Sequence, residues 1–269
     1  MGAASRGEAR LTHGGARQDG RRATIAVMTT IAIIQERMGS TRLPVKVLTV
    51  FAGKTALEHC VERTRACPVV DDVIVATTTE RGDDVLVDAC RAHGWRWFRG
   101  AEHDVLDRYY QAAREVGATD IMRITSDCPL TDPDVLAALV ARYRAEAADY
   151  ASTSWPRATF PIGISAELVR FDVLERAWRE DGNPGWREHV TPYLYRHPDR
   201  FRIVGLGADR DYSHHRWTLD TPEDAELIRR LFDHFAGRWF GWRDALAVVE
   251  ANPTWQAINA EVVQRRAPD

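Results

Sequence analysis

From Thr30 onward, apolar and polar positions alternate between two periods, and the alternation predicts a succession of strands and helices. TIAII (Thr30–Ile34) is a continuous apolar run, as expected of a strand buried on both faces of a parallel sheet. A polar segment, QERMGSTRLPVK, follows it. Thr55 then stands as the N-cap of a helix, ALEHCVERTRA, with Leu57, Val61 and Thr64 on one face. DVIVATT (Asp72–Thr78) predicts a second strand, and DDVLVDACRAHG a second helix closed by Gly94. WRWF reads as a short strand, VLDRYYQAAREVG as a helix ending at Gly117, and DIMRIT (Asp120–Thr125) as a further strand. The last runs into SDCPLTDPDV, where Thr131 or Asp132 caps a helix with Pro133 at its first position. Repeated strand–helix units of this kind predict an α/β fold with a doubly wound, mostly parallel sheet, whose ligands sit outside the carboxyl ends of the strands.

After Tyr150 the pattern changes. ASTSWPRATFPIGISAEL has no clear period and predicts a loop-rich excursion. FDVLERAWRED and WREHVTPYLYRHP read as helical, RFRIVGL and HHRWTLD as strands. TPEDAELIRRLFDHF reads as a helix capped by Thr221, with Pro222 first and Glu223 and Asp224 near the positive end of its dipole. Trp239, Trp242 and Trp255 fall on amphipathic segments and are expected in a core or a subunit contact. Residues 1–27 are rich in Gly, Ala, Arg and Ser without apolar period, so a disordered extension is expected there and a single domain from 28 to 269, loop-rich over about 150–215. Arg21-Arg22 before ATIAVMTTIAII is not taken as a twin-arginine signal, because cleavage behind the apolar run would remove the first strand.

Composition narrows the function. With 36 basic and 39 acidic residues the net charge is −3, which argues against nucleic acid as the main partner. No uncharged apolar run is long enough for a membrane span. The four cysteines, Cys60, Cys67, Cys90 and Cys128, lack zinc-site spacing and fit a reduced, cytoplasmic setting. Only two of the basic residues are lysines, Lys46 and Lys54. In so Arg-biased a chain, a retained lysine points to a need for a compact ammonium.

Four segments carry candidate chemistry. In Gln35–Lys46, Gly39 and Ser40 allow a tight turn whose amides can form an anion nest, and Arg37, Arg42 and Lys46 add three cations, which suits a triphosphate. The segment is neither a P-loop nor a dinucleotide fingerprint, and read alone it is also compatible with a solvated loop. In Arg123–Leu130, Asp127 follows a strand end where one carboxylate can hold a Mg²⁺ that also binds phosphate, or can simply cap a turn. In Arg216–Asp224, Asp220 ends a predicted strand as Asp127 does, so the two carboxylates could converge on one metal, while Asp224 is better explained as a cap. In Trp186–Pro192, His189 is a candidate acceptor contact, and no spacing supports zinc.

IIQERMGSTRLPVKVL, VIVATT, FRGAEHDVLDRYYQAA, MRITSDCPL, REHVTPYLY and RWTLDTPED occur in that order. Between Thr30 and about Phe235 the chain thereby resembles the spore-coat polysaccharide type cytidylyltransferases, relatives of the CMP-sialate and CMP-Kdo synthetases. The resemblance implies a Rossmann-like nucleotidyltransferase that joins the CMP part of CTP to a small acceptor and releases pyrophosphate, with Mg²⁺, and that pairs as a homodimer. It assigns Arg37, Arg42 and Lys46 to the triphosphate and Asp127 and Asp220 to the metal. Ile34, Gln35, Gly39, Ser40, Ala76, Thr77, Arg123 and Ser126 would surround the nucleotide. Arg157, Glu167, Arg187, Glu188, His189, His214 and His215 would face the acceptor. Three departures stand out: Val45 where the family's loop usually has glycine, Ser152-Thr153 for Ser-Asn, and Gly163-Ile164-Ser165-Ala166-Glu167 for Gly-Leu-Asp-x-Glu, which loses a carboxylate. The last two put the acceptor in question and tilt the reading toward an anionic phosphonate or phosphate, with an acidic sugar as the other choice. A nucleotide-sugar glycosyltransferase and a non-catalytic nucleotide-binding module are the rival readings.

Overall fold

The computed structural model describes residues 29–39, 43 and 46–264. The expectations placed on residues 1–27, Ser40, Arg42 and Val45 lie outside the described residues.

Seven strands form one sheet in the order β5-β4-β1-β6-β8-β7-β9, with β1 at Thr30–Gln35, β4 at Asp72–Thr78, β5 at Arg96–Gly100, β6 at Asp120–Thr125, β7 at Tyr150–Ser152, β8 at Glu167–Arg170 and β9 at Ile203–Gly205. A small antiparallel ribbon, β2 (Val50–Phe51) with β3 (Lys54–Thr55), stands apart. Strands β5, β4, β1 and β6 are parallel. Strand β8 runs antiparallel to its neighbours β6 and β7, and β9 is parallel to β7. The mostly parallel sheet agrees with the expectation.

Strand side chains alternate between faces, and the core divides accordingly. Ala32 and Ile34 pack with α1 (Ala56–Arg65), α2 (Asp84–His93) and α4 (Pro133–Ala145), whereas Ile31 and Ile33 pack with α3 (Val105–Val116) and α5 (Phe171–Glu180). Two short helices, α6 (Pro184–His189) and α7 (Pro192–Tyr195), lie on the second face. A third cluster joins α8 (Pro222–Phe235) and α9 (Trp242–Ala251) to Phe51, Leu130 and Trp217, and α10 (Pro253–Gln256) follows. Trp242 belongs to this core, Trp255 packs against it, and Trp239 is exposed beside Arg63. No helix of the described residues is long and apolar enough to cross a membrane.

The chain builds outward from β1 through β4 to β5, then returns by α3 to place β6 on the other side of β1. The reversal of strand order therefore falls between β1 and β6, whose last residues, Gln35 and Thr125, are register partners. That crevice is where a doubly wound sheet holds its ligand.

Three expectations need correction. HHRWTLD is not a strand: a single bridge, Ile162 with Arg216, ties this segment down, because Gly163 brings the backbone against Trp217 instead of continuing a ladder. Asp220 consequently does not end a strand. The aperiodic stretch after Tyr150 hides two short sheet strands, β7 and β8, whose pairing partners supply the order that a three- or four-residue alternation cannot signal. WREHVTPYLYRHP is two helices, α6 and α7, separated at Val190, whose φ of 72° interrupts the helix.

Candidate active site

A cavity of about 280 Å³ opens at the β1–β6 switch point, lined by Gln35, Glu36, Arg37, Gly39 and Lys46 from the first loop and its 3₁₀ turn, Val105 and Arg108 from α3, Thr125, Ser126 and Asp127 after β6, Glu188 and His189 from α6, and Asp220. At its floor the Lys46 ammonium donates to Asp127 Oδ2 at 3.0 Å and to Asp220 Oδ1 at 2.8 Å. The lysine side chain is only 13% exposed. Burial alone would lower its proton affinity, but the two carboxylates outweigh that and keep it charged.

Backbone contacts explain why these distant residues meet. Leu219 N–H and Thr218 Oγ1 both donate to the carbonyl of Asp127, at 2.8 and 3.1 Å. Asp220 is held from behind by Arg216, whose guanidinium reaches Asp220 Oδ2 at 2.9 Å and grips Asp224 through Nε and NH2 at 2.9 and 3.0 Å. Asp224 in turn closes the capping box of α8 with Thr221, as the sequence predicts, and also accepts from the Asp220 amide. One carboxylate thus fixes a helix start and the orientation of Asp220.

The first loop is anchored by Asp83, which accepts from Met38 N–H at 2.8 Å while its other oxygen takes the hydroxyls of Thr77 and Thr78. Arg37, half exposed at the rim, pairs with Glu102 and Glu188. Glu36 is 5% exposed. Its Oε1 accepts from Arg37 N–H, and its Oε2 is buried without a partner among the described residues. Burial, partly offset by Lys46, pushes its carboxyl up to about 8.

Beside this cavity, and sharing Thr125 with it, lies a smaller one of about 150 Å³ lined by Arg123, Ser154, Ser165, Ala166 and Glu167. Arg123 is held by Gln35 and Glu167, each at 3.2 Å, and Thr191 donates to the same Glu167 oxygen at 2.9 Å. Burial and the nearby Arg123 charge lower the proton affinity of His189.

The structure thus gathers Gln35, Arg37, Gly39, Lys46, Ser126, Asp127, Glu188, His189 and Asp220 around one cavity and Arg123 and Glu167 around its neighbour. Ile34 and Ala76 are buried in the sheet, and Thr77 is engaged with Asp83. Arg187 lines neither cavity; it grips Asp104, the N-cap of α3, at 2.9 and 2.8 Å and donates to two backbone carbonyls. Arg157 pairs with Asp211 at the surface. The His214 and His215 rings lie 4.1 Å apart and tilted to each other, outside both cavities, and burial lowers His215 to about 4. Glu36, Val105, Arg108 and Thr125 line the cavity without having been singled out by sequence. Glu36 stood within the flagged loop and Thr125 within a flagged strand end, but Arg108 looks like any polar position of an amphipathic helix.

Comparison with known proteins identifies the family. The cytidylyltransferase family model matches residues 31–252. The spore coat polysaccharide biosynthesis protein SpsF of Bacillus subtilis is 35% identical over 207 residues, covering 74% of this chain and 85% of that protein. A 3-deoxy-manno-octulosonate cytidylyltransferase of Koribacter versatilis is 31% identical over 78% of this chain and 80% of its own. Among solved structures, a cytidylyltransferase from Leptospira borgpetersenii superposes with a TM-score of 0.81 at 31% identity, over 89% of this chain and all of that one.

Proposed function

This chain belongs to the cytidylyltransferase family, and from that premise we propose that it transfers CMP from CTP to a small anionic acceptor, a phosphonate or a phosphate, releasing pyrophosphate. The observation that carries the reading is the Lys46 ammonium suspended between Asp127 and Asp220 at the floor of a cavity rimmed by arginine. An ammonium shared by two carboxylates is held in place and charge-compensated by them, and phosphate oxygens can compete for it.

In the proposed reaction an acceptor oxygen attacks the α-phosphorus of CTP in line, the new P–O bond forms, and the bond to the leaving pyrophosphate breaks. Lys46 and Arg37 offset charge on the phosphates, so the acceleration comes from positioning and electrostatics and not from covalent chemistry. Gln35, fixed by Arg123, and Ser126 offer polar groups to the nucleotide. The buried Arg123 supports an anionic acceptor in the smaller cavity, and its volume of about 150 Å³ suits a compact molecule. A phosphonate or phosphate oxygen is already ionised, so its attack needs no general base.

Asp127 and Asp220 fit a divalent cation. They converge on one point, already share one positive charge, and match the habit of Mg²⁺, which takes one or two carboxylates and completes its shell with water and substrate phosphates. When bound there, Mg²⁺ would supply charge neutralisation at the phosphates.

Pyrophosphate release from CTP, screened against small phosphonates, phosphates, acidic sugars and neutral sugars, tests the proposal. Turnover with a phosphonate or a phosphate is expected. Turnover with neutral sugars or with none of the panel would refute the acceptor assignment.

A further inference from the structure

Arg108 is a buried cation with no ion pair among the described residues, in a cavity it lines together with Arg37 and Lys46. It sits in the first turn of α3, 1% exposed, and its NH1 donates to the Ala101 carbonyl at 2.8 Å. Its Nε has no partner among the described residues. Through space it meets Tyr109, Asp83 and Glu36, which favour its charge, and Arg37, which opposes it. Asp83 is consumed by Met38, Thr77 and Thr78, and Glu36 accepts from Arg37 N–H. A buried guanidinium in this state is unfavourable by several kcal/mol unless an anion completes it.

The fold holds this unfavourable arrangement in place. Gly100, at the end of β5, makes room for the arginine stem: a Cβ there would stand 3.1 Å from Arg108 Cγ and 3.3 Å from its Cβ. Arg187 clamps Asp104, whose side chain caps α3 through Asp107 N–H. The helix turn bearing Arg108 is therefore pinned from the strand side and from the cap side, and the side chain lines the same cavity as Arg37 and Lys46.

We propose that Arg108 is a further substrate-binding residue of this site, receiving the polyphosphate tail of the nucleotide and the pyrophosphate it becomes. The inference rests on the reading of the cavity as a CTP site. Its ligand is a diphosphate or triphosphate anion, because a single phosphate at the α position belongs with the nucleoside, whereas the fork of Arg108 adds to the charge of Arg37 and Lys46. It also assigns Arg187 a positioning role, through Asp104, in place of acceptor contact.

The test compares wild type, Arg108→Met and Arg108→Lys for binding of inorganic pyrophosphate, CTP and CMP by calorimetry, with thermal unfolding in buffer alone. Arg108→Met should unfold no earlier than wild type without ligand, because it removes an uncompensated buried charge. It should bind pyrophosphate and CTP roughly 10- to 100-fold more weakly and CMP unchanged. Arg108→Lys should fall between the two. Gly100→Ala, which crowds the stem while keeping the charge, should weaken pyrophosphate binding with CMP unaffected. Pyrophosphate affinity within threefold of wild type in Arg108→Met, or an equal loss for CMP, would overturn the proposal. Unfolding of Arg108→Met in buffer alone would overturn it too, by making the residue structural. Wild-type protein that binds none of the three would instead refute the CTP reading itself.

Discussion

Leu219 donates its amide to the carbonyl of Asp127 across 2.8 Å, and this bond brings the two halves of the site together. It places Asp220 opposite Asp127, with Lys46 between them. The segment that carries Leu219 is no strand. It is held by Trp217 N–H to Ile162 O and by the close approach of Gly163.

Gly163 has φ +104°, and a Cβ on it would lie 2.6 Å from the Trp217 carbonyl carbon. Gly163→Ala should therefore lower stability by about 2 kcal/mol through strain and displacement, read as an earlier urea midpoint. Nucleotide binding should weaken more than this loss explains, because Asp220 moves with the segment. Wild-type stability would contradict the packing described.

Lys46→Met leaves Asp127 and Asp220 facing each other without the cation between them, Asp220 keeping only Arg216 behind it. Turnover should drop by roughly 10²–10³, the usual effect of removing one group that stabilises transition-state charge. Stopped-assay pyrophosphate release measures it. An effect on KM alone would place Lys46 in binding and not in catalysis.

Glu36 carries a pH signature. Its carboxyl lies near 8 in the folded chain, because burial disfavours its charge, against an ordinary value of 4.5. The folded state therefore holds its proton more tightly than the unfolded state. The resulting stability is fully present below pH 4.5 and is lost as pH rises toward 8. Glu36→Gln removes this dependence, so its advantage over wild type should grow from pH 5 to pH 8 and then level off. At ~1.4 kcal/mol for each tenfold change in proton affinity, the ceiling is about 5 kcal/mol. Denaturant unfolding at four pH values decides it, and a constant difference between the two proteins would contradict the assignment.

Arg123 and Glu167 hold one another beside the smaller cavity. Glu167→Gln leaves Arg123 with excess charge. It should lower the KM for an anionic acceptor with CTP affinity changed by less than threefold, whereas an equal change in CTP affinity would move this pair to the nucleotide.

The parts of the site that could be read from sequence were those where residue type and strand end coincide. Arg37 and Asp127 stand just beyond apolar runs, with Lys46 further along the first loop, and a doubly wound sheet sends such residues to one crevice. Asp220 was found for a reason the fold does not supply, since its segment is irregular and its position comes from the Leu219 and Gly163 contacts. Arg187 looked like an acceptor contact because charge in sequence does not reveal that Asp104 consumes it. Arg108 was not singled out, because the sequence does not tell that Gly100 at the end of β5 packs against its stem. Strands β7 and β8 are too short for a period to register.

The central claim, that the Lys46–Asp127–Asp220 cavity binds CTP, is tested most directly by thermal unfolding with Mg²⁺ and each of CTP, UTP, ATP and GTP, repeated with EDTA. A ligand at 100 times its Kd adds ~2.7 kcal/mol, which for a chain of this size raises Tm by roughly 5–10 °C. A shift of that size with CTP, smaller with the other three and reduced by EDTA, is the predicted result. No shift with CTP, or the same shift with all four nucleotides, would contradict the account.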